Sequence, residues 1–142
     1  MAFLTVGAGV PKKKQRLYLM EITLPSGMVV IKCGKASGSS SKERMLQICS
    51  SIYDKFRRTP MIKIQRDREV NADLVFKYET IMHRFFSDYR YESKHKFDGI
   101  SECFVVPLDD MVQAYEAVME GLEPDGVYKR APIVLDKYDL PF

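Results

Sequence analysis

The chain has 142 residues, which suits one domain with a real hydrophobic core. Hydrophobic residues make up 46% and charged residues 29%, and no apolar run reaches the length that a membrane-spanning helix needs. The net charge of +3 conceals an asymmetry: residues 1–96 carry 19 Lys and Arg against 9 Asp and Glu, whereas residues 97–142 carry 3 against 10. This favours a polyanionic partner such as nucleic acid, unless the two regions pair and cancel.

The cysteines and the first residues indicate a cytoplasmic protein. Cys33, Cys49 and Cys103 are odd in number and lack CxxC spacing, so we expect neither a disulfide framework nor a zinc site. Residues 1–10 are too short for a signal peptide and lack its charged start. A reducing cytosol is therefore the expected location.

Residues 1–16 predict a flexible arm with a basic end, which either contacts phosphates or only solubilises the terminus. Two apolar runs, LYLMEI from Leu17 and MVVIKC from Met28, then flank a Pro-Ser-Gly turn, which predicts a β-hairpin. Alternation places Lys32 on a partly apolar face with Met28 and Val30. We expect the second strand to end at Gly34.

A Gly/Ser loop over residues 37–41 leads into a helix that Ser40 or Ser41 caps. Arg44 lies in its first turns, where a cation opposes the helix dipole.

Residues 53–68 are strongly basic, and Met61 to Ile64 predict a third strand. The region suits a groove wall for a nucleic-acid backbone or, alternatively, a sheet edge protected by charge. The cationic candidates for substrate binding are Lys35, Lys55, Arg57, Arg58 and Lys63.

A second helix, starting at Asn71 or Asp67 and running to about Asp88, carries a wide apolar stripe. Glu79 falls within that stripe, and a buried unpaired carboxylate is costly. Glu79 therefore either pairs with a basic residue or binds a metal, and on the pattern alone a structural salt bridge ranks first.

The last part of the chain predicts a charged loop from Tyr89 to Phe97, a strand from Glu102 to Val106, and an amphipathic helix that begins at Asp109-Asp110. The helix has an acidic outer face, which we expect to lie away from any nucleic acid. Residues 123–142 predict an extended tail that docks on the body or on a partner, including a second copy of the chain. The resulting division is an arm (1–16), a domain (17–122) and a tail (123–142).

The order of these residues resembles the GIY-YIG nuclease superfamily, especially its divergent phage and bacterial branch. The matching pieces are Tyr18 on the first strand, Lys32-Cys33-Gly34-Lys35 on the second, Arg44 on the next helix, Glu79 in ETIMHRFF, and Gly99 to Phe104. The glycine that opens the first family motif is absent, and Lys32 stands where many members have a second tyrosine. The resemblance covers about residues 17–106.

Membership implies metal-assisted hydrolysis of DNA phosphodiester bonds, in the host cytoplasm if a phage encodes the chain. Glu79 would be the single protein ligand of Mg²⁺ or Mn²⁺, and Arg44 would hold the scissile phosphate. Tyr18, helped by Lys32 or Lys35, would orient or deprotonate the attacking water. His83 supports Glu79 or only packs, Glu102 braces the basic site or only starts a strand, and His95 has no assigned role.

The expected fold is α/β, with a small central antiparallel sheet of three or four strands flanked by helices. Three functions fit the pattern: a small DNA endonuclease, a catalytically weakened GIY-YIG-like domain that binds nucleic acid or a host protein without cleavage, and an unrelated α/β interaction protein. The endonuclease requires Glu79 and Arg44 to face one groove together with Tyr18 and Lys32.

Overall fold

A computed structural model describes residues 14–124, so most of the predicted arm and nearly all of the predicted tail lie outside the described residues. Within that range four strands form one antiparallel sheet in the order β3-β1-β2-β4, and helices cover both of its faces. The predicted α/β fold is thus confirmed. The elements are β1 (Gln15–Thr23), β2 (Val29–Ser37), α1 (Lys42–Phe56), β3 (Met61–Val70), α2 (Ala72–Phe85), β4 (Cys103–Phe104) and α3 (Leu108–Met119).

The hairpin of β1 and β2 is the centre of the sheet. Its turn closes when the amide of Gly27 donates to the carbonyl of Leu24 at 2.8 Å, and Gly27 adopts a φ of 92° that glycine reaches at little cost. The second strand does not end at Gly34: it continues to Ser37, because Gln15 and Arg16 extend β1 and pair with Ser37 and Ala36. Two residues assigned to the arm therefore belong to the sheet.

Alternation of side chains along the hairpin divides the core into two layers. Leu17, Leu19, Ile31 and Cys33 pack on one face against buried residues of α2 and α3. On the other face Tyr18, Met20, Ile22 and Val30 pack against Ile48 and Ile52 of α1. The periodicity predicted this division correctly.

The third strand is longer than its apolar residues indicated. It runs on from Ile64 through polar residues to Val70, with a bulge at the β1 step from Leu19 to Met20. Arg66 and Arg68 of this extension donate to Glu116 of α3 at 3.2 and 2.7 Å. Such pairing between the basic and acidic parts of the chain partly cancels the charge asymmetry.

The helix boundaries follow local capping. Asn71, rather than Asp67, caps α2, since its side chain accepts from the amide of Asp73 at 2.8 Å. Asp67 lies elsewhere: it accepts from the amide and hydroxyl of Ser41, the N-cap of α1, whose own side chain therefore does not cap the helix. The second helix ends at Phe85, three residues before the expected end.

The fourth strand is shorter than the expected Glu102 to Val106. Only Cys103 and Phe104 pair, with Lys32 and Ile31 of β2. Glu102 instead ends a single 3₁₀ turn, and the amide of Val105 donates to the carbonyl of Tyr89 at 2.8 Å rather than to β2. As a result, β2 has no strand neighbour on its outer edge beyond Lys32 within residues 14–124.

Candidate active site

Tyr18 and Lys32 lie side by side under α1, and both are fully buried. Tyr18 faces Gly34 in the strand register, and a Cβ at Gly34 would lie 2.5 Å from the phenol oxygen and 2.8 Å from the Lys32 amine. The missing side chain thus allows the phenol and the amine to approach each other. The amine is 5.2 Å from the centre of the Tyr18 ring.

Arg44 reaches the same group from the first turn of α1. Its Nη1 donates to Asp98 at 2.8 Å and to Gln47 at 3.1 Å. A Cβ at Gly99 would lie 3.2 Å from the Lys32 amine and 3.5 Å from Nη2 of Arg44. The two cations therefore approach each other at the position where Gly99 has no side chain.

The Tyr18 hydroxyl has no hydrogen-bond partner of normal geometry among the described residues. Burial raises the pKa of Tyr18, and the neighbouring charge of Lys32 only partly opposes this. The phenol is therefore protonated at neutral pH and is a candidate donor to a ligand.

Glu102 joins this group from the start of β4. The Lys32 amine donates to Oε1 of Glu102 in a short ion pair. Burial alone would lower the pKa of Lys32, but Tyr18 and Glu102 outweigh it, so the pKa is raised and the amine stays charged. The sequence left Glu102 as a brace or a strand residue, and the geometry makes it the partner of Lys32.

Glu79 lies on α2, against the opposite face of the sheet from Tyr18, and is 7% exposed. Burial and, after it, the nearby Glu102 carboxylate raise the pKa of Glu79 to about 7, against the opposing charge of Lys35. The Lys35 amine is 4.0 Å from Oε1, and Oε2 is buried without a hydrogen-bond partner in the described part of the chain. The salt bridge that the pattern favoured for Glu79 is thus long and leaves one oxygen unsatisfied.

His83 follows Glu79 by one helical turn. Its Nε2 is 2.7 Å from the carbonyl of Cys33, which can only accept, so Nε2 carries the proton and Nδ1 of a neutral ring keeps its lone pair. Burial lowers the pKa of His83 despite the bond to Cys33, which favours that neutral ring. Ligand atoms of Glu79, His83 and Glu102 all lie within 4.8 Å of one another.

The short β4 explains how groups on opposite faces of a sheet meet. Because β4 begins only at Cys103, opposite Lys32, β2 has no strand partner on its outer edge beyond that point among residues 14–124, and the carbonyl of Cys33 accepts from His83. Glu102 lies at this edge, bonded to Lys32 from one face and close to Glu79 and His83 from the other. Of the four predicted catalytic residues, Lys32 and Glu79 are linked through Glu102, while Tyr18 adjoins Lys32 and Arg44 approaches the same amine at Gly99.

An open cleft of about 570 Å³ has Arg44 in its lining, whereas Tyr18, Lys32 and Glu79 do not line it, so the four predicted catalytic residues do not all face one groove. Arg44 and Lys35 line it, together with Gln15, Gly38, Glu43 and other polar residues. Two of the predicted phosphate-binding cations thus share one solvent-accessible surface.

The other predicted substrate-binding cations lie elsewhere. Lys55, Arg57 and Arg58 are exposed at the C-terminal end of α1, and Arg57 is about 20 Å along the helix axis from Arg44. Lys63 is exposed on β3, on the far side of β1 from β2. The geometry does not group these four with Lys35 and Arg44.

The sequence offered Glu102 as a brace for the basic site without naming Lys32 as its partner, and it did not predict the pairing of Arg44 with Asp98. A lysine on an apolar strand face requires an acidic partner. The sequence pattern indicates that such a partner exists but does not identify the residue. Cys33, Cys49 and Cys103 are free thiols.

Comparison with protein-family models, with curated proteins and with solved structures finds no match to this chain. None of the helices within residues 14–124 combines the length and apolar character that crossing a membrane requires.

Proposed function

We propose that this protein is a divalent-metal-dependent endonuclease that hydrolyses DNA phosphodiester bonds. One observation carries the proposal: the buried carboxylate of Glu79, one oxygen of which has no hydrogen-bond partner among residues 14–124, lies in one group with a phenol, an amine and a guanidinium, and the guanidinium lines an open cleft. Structural salt bridges satisfy their buried acids, whereas active sites hold perturbed and unsatisfied groups. The order of these residues along the chain also resembles that of GIY-YIG nucleases.

Arg44 is the proposed phosphate-binding group. Its planar guanidinium matches two phosphate oxygens, and it lines the cleft from a position where its side chain is partly exposed. Asp98 accepts a hydrogen bond from the guanidinium at 2.8 Å. A substrate phosphate therefore has to compete with Asp98, while Lys35 adds positive charge from the other side of the cleft.

Tyr18 is the proposed group that holds the attacking water. Its hydroxyl has no well-formed hydrogen bond among residues 14–124 and stays protonated, because burial raises the pKa of Tyr18 more than the nearby Lys32 amine lowers it, so the phenol orients a water rather than deprotonating it. Gly34 leaves the space in which phenol and amine meet. The ion pair with Glu102 holds the Lys32 amine in place beside the phenol.

Glu79 is the proposed metal ligand, and its buried, unsatisfied oxygen together with the neighbouring Glu102 and His83 fits a divalent cation. A bound divalent ion would stabilise the negative charge that develops on the phosphate and the leaving oxygen.

A second function has its own observation. Tyr18 and Lys32 are fully buried, and a phenol without access to solvent is poorly placed to handle water. This favours the alternative of a domain that binds nucleic acid or a host protein through the cleft without cleavage.

A plasmid-nicking assay separates the two. We expect wild type to nick supercoiled DNA with Mg²⁺ or Mn²⁺ but not with EDTA, and Glu79→Ala to lose the activity. Glu120→Ala removes an exposed acid after α3 and serves as the control. Equal background in every lane, together with retained DNA binding in a gel-shift assay, would favour the binding domain.

A further inference from the structure

Three side chains from two separate elements surround one point at the open edge of β2. Glu79 and His83 come from successive turns of α2, and Glu102 comes from the turn before β4. Their ligand atoms lie within 4.8 Å of one another. Ligands about 2.1 Å from one ion stand at most about 4.2 Å apart, so shifts of under about 1 Å would bring all three onto a common centre.

Two further observations point to a ligand at this place. Oε2 of Glu79 is buried and has no hydrogen-bond partner among residues 14–124, although the side chain is 9% exposed and close to a second carboxylate. The Nε2–H of His83 is fixed on the carbonyl of Cys33 at 2.7 Å, which is how proteins orient a histidine whose other nitrogen binds a metal. Glu102 accepts from Lys32 through Oε1 and lies within hydrogen-bonding reach of Glu79, so the two carboxyl groups adjoin.

We infer that Glu79, His83 and Glu102 form a three-ligand site for a divalent transition ion, with Mn²⁺ preferred to Mg²⁺. This differs from a centre in which Glu79 is the single protein ligand. The role of the ion in cleavage rests on the proposed function, but its binding does not.

The donor set determines the preference. Mg²⁺ selects oxygen ligands and keeps most of its water, so an imidazole adds little to its affinity. Mn²⁺ accepts an imidazole together with carboxylates and lies higher in affinity for such sites. Two carboxylates also bring enough negative charge to offset the Lys32 amine beside the site.

Mn²⁺ binding to the full chain tests the inference, with loss of the free-ion signal in electron paramagnetic resonance as the readout. We expect one Mn²⁺ per chain, a dissociation constant at least tenfold larger in His83→Asn and in Glu102→Gln, and no change in His95→Asn. His95 is the matched control because it contacts Phe56, at the other end of α1 from Arg44. Competition with Mg²⁺ should require at least a tenfold excess.

A measurement on wild type alone guards against variants that do not fold. Pulsed resonance of the bound Mn²⁺ should show coupling to one imidazole nitrogen. Absence of that coupling, or affinity that depends on Glu79 but not on His83 or Glu102, overturns the three-ligand site. Failure of wild type to bind Mn²⁺ also overturns it, and the nicking assay then decides separately whether the proposed nuclease survives. Binding without nicking supports the site and contradicts the nuclease.

Discussion

Lys32 and Glu102 form the ion pair that links the two faces of the sheet. Lys32 points under α1 toward Tyr18 and Arg44, and Glu102 also lies beside Glu79 and His83 on the α2 side. Without this pair the basic and acidic halves of the site would be separated by β2. Several properties of the site depend on it and can be measured.

The first prediction compares two buried tyrosines. Tyr18→Phe should change the free energy of unfolding by less than about 1 kcal/mol, because among residues 14–124 the hydroxyl makes no hydrogen bond of full geometry, although it lies near Lys32 and Arg44, but should lower nicking by about 100-fold or more. Tyr115→Phe is the matched control: its hydroxyl donates to the carbonyl of Leu17 at 2.7 Å, so its loss should destabilise the fold by about 1–2 kcal/mol and leave nicking of the folded protein unchanged. Urea unfolding and nicking rates measure both. Full activity in Tyr18→Phe would remove the phenol from the mechanism.

The second prediction concerns pH and Glu79 in the metal-free protein. The ordinary pKa of the residue is near 4.5 and its pKa in the fold is about 7, so between these values the folded chain holds a proton that the unfolded chain has released. Stability due to this group is therefore present below pH 4.5 and is lost as the pH rises through 7. Glu79→Gln, which cannot ionise, should unfold like wild type at pH 5 and be more stable at pH 8, by on the order of 2 kcal/mol.

Urea unfolding in EDTA at the two pH values measures this difference, with Glu120→Gln as the exposed control. If the difference between wild type and Glu79→Gln did not change with pH, Glu79 would not be a buried, unsatisfied acid. A divalent ion that binds Glu79 should reverse the order at pH 8, since it stabilises only wild type.

The third prediction concerns competition for Arg44. Asp98 holds the guanidinium at 2.8 Å, and this hydrogen bond lowers the pKa of Asp98 despite its exposure. Asp98→Asn should free Arg44 and tighten binding of a short DNA duplex by about 2- to 5-fold at moderate salt. Asp54→Asn removes the same charge from the exposed far part of α1 and should tighten binding less. Equal effects of the two variants in fluorescence anisotropy would mean that only net charge matters.

The fourth prediction concerns Gly34. An alanine there would place its Cβ 2.5 Å from the Tyr18 hydroxyl and 2.8 Å from the Lys32 amine, so one of them has to move. Gly34→Ala should destabilise the fold by about 1–3 kcal/mol and abolish nicking. At Gly27, where φ is 92° and nothing lies within 4 Å, alanine should cost about 1 kcal/mol of backbone strain and leave nicking intact. Activity retained in Gly34→Ala would show that phenol and amine need not adjoin.

Local pattern was sufficient for the hairpin, for α1 and α2, and for the faces that each strand buries, because alternation and helical periodicity are local properties. It did not predict the extent of β3 and β4, which depends on contacts between residues far apart in the chain. Polar residues of β3 continue the strand because β1 pairs with them and Glu116 binds Arg66 and Arg68. The apolar run after Glu102 predicted a long strand, yet its later residues bond to Tyr89 instead.

The candidate site shows the same limit. Glu79 was identifiable because an acid in an apolar stripe is anomalous, and Lys32 because a lysine on a buried strand face is equally so. Nothing in the pattern connected Lys32 to Glu102, Arg44 to Asp98, or His83 to the carbonyl of Cys33. These connections depend on where β4 begins, at Cys103 directly after the 3₁₀ turn that Gly99 caps.

The separations along the chain also determine when the site can exist. The contacts between Lys32 and Glu102, Arg44 and Asp98, and His83 and Cys33 span 70, 54 and 50 residues. A nascent chain that has left the ribosome only through β3 already contains the entire hairpin and α1, yet it lacks Glu79, His83, Asp98 and Glu102. Synthesis must therefore run almost to α3 before the protein has any centre at which a phosphate or a metal ion could be held.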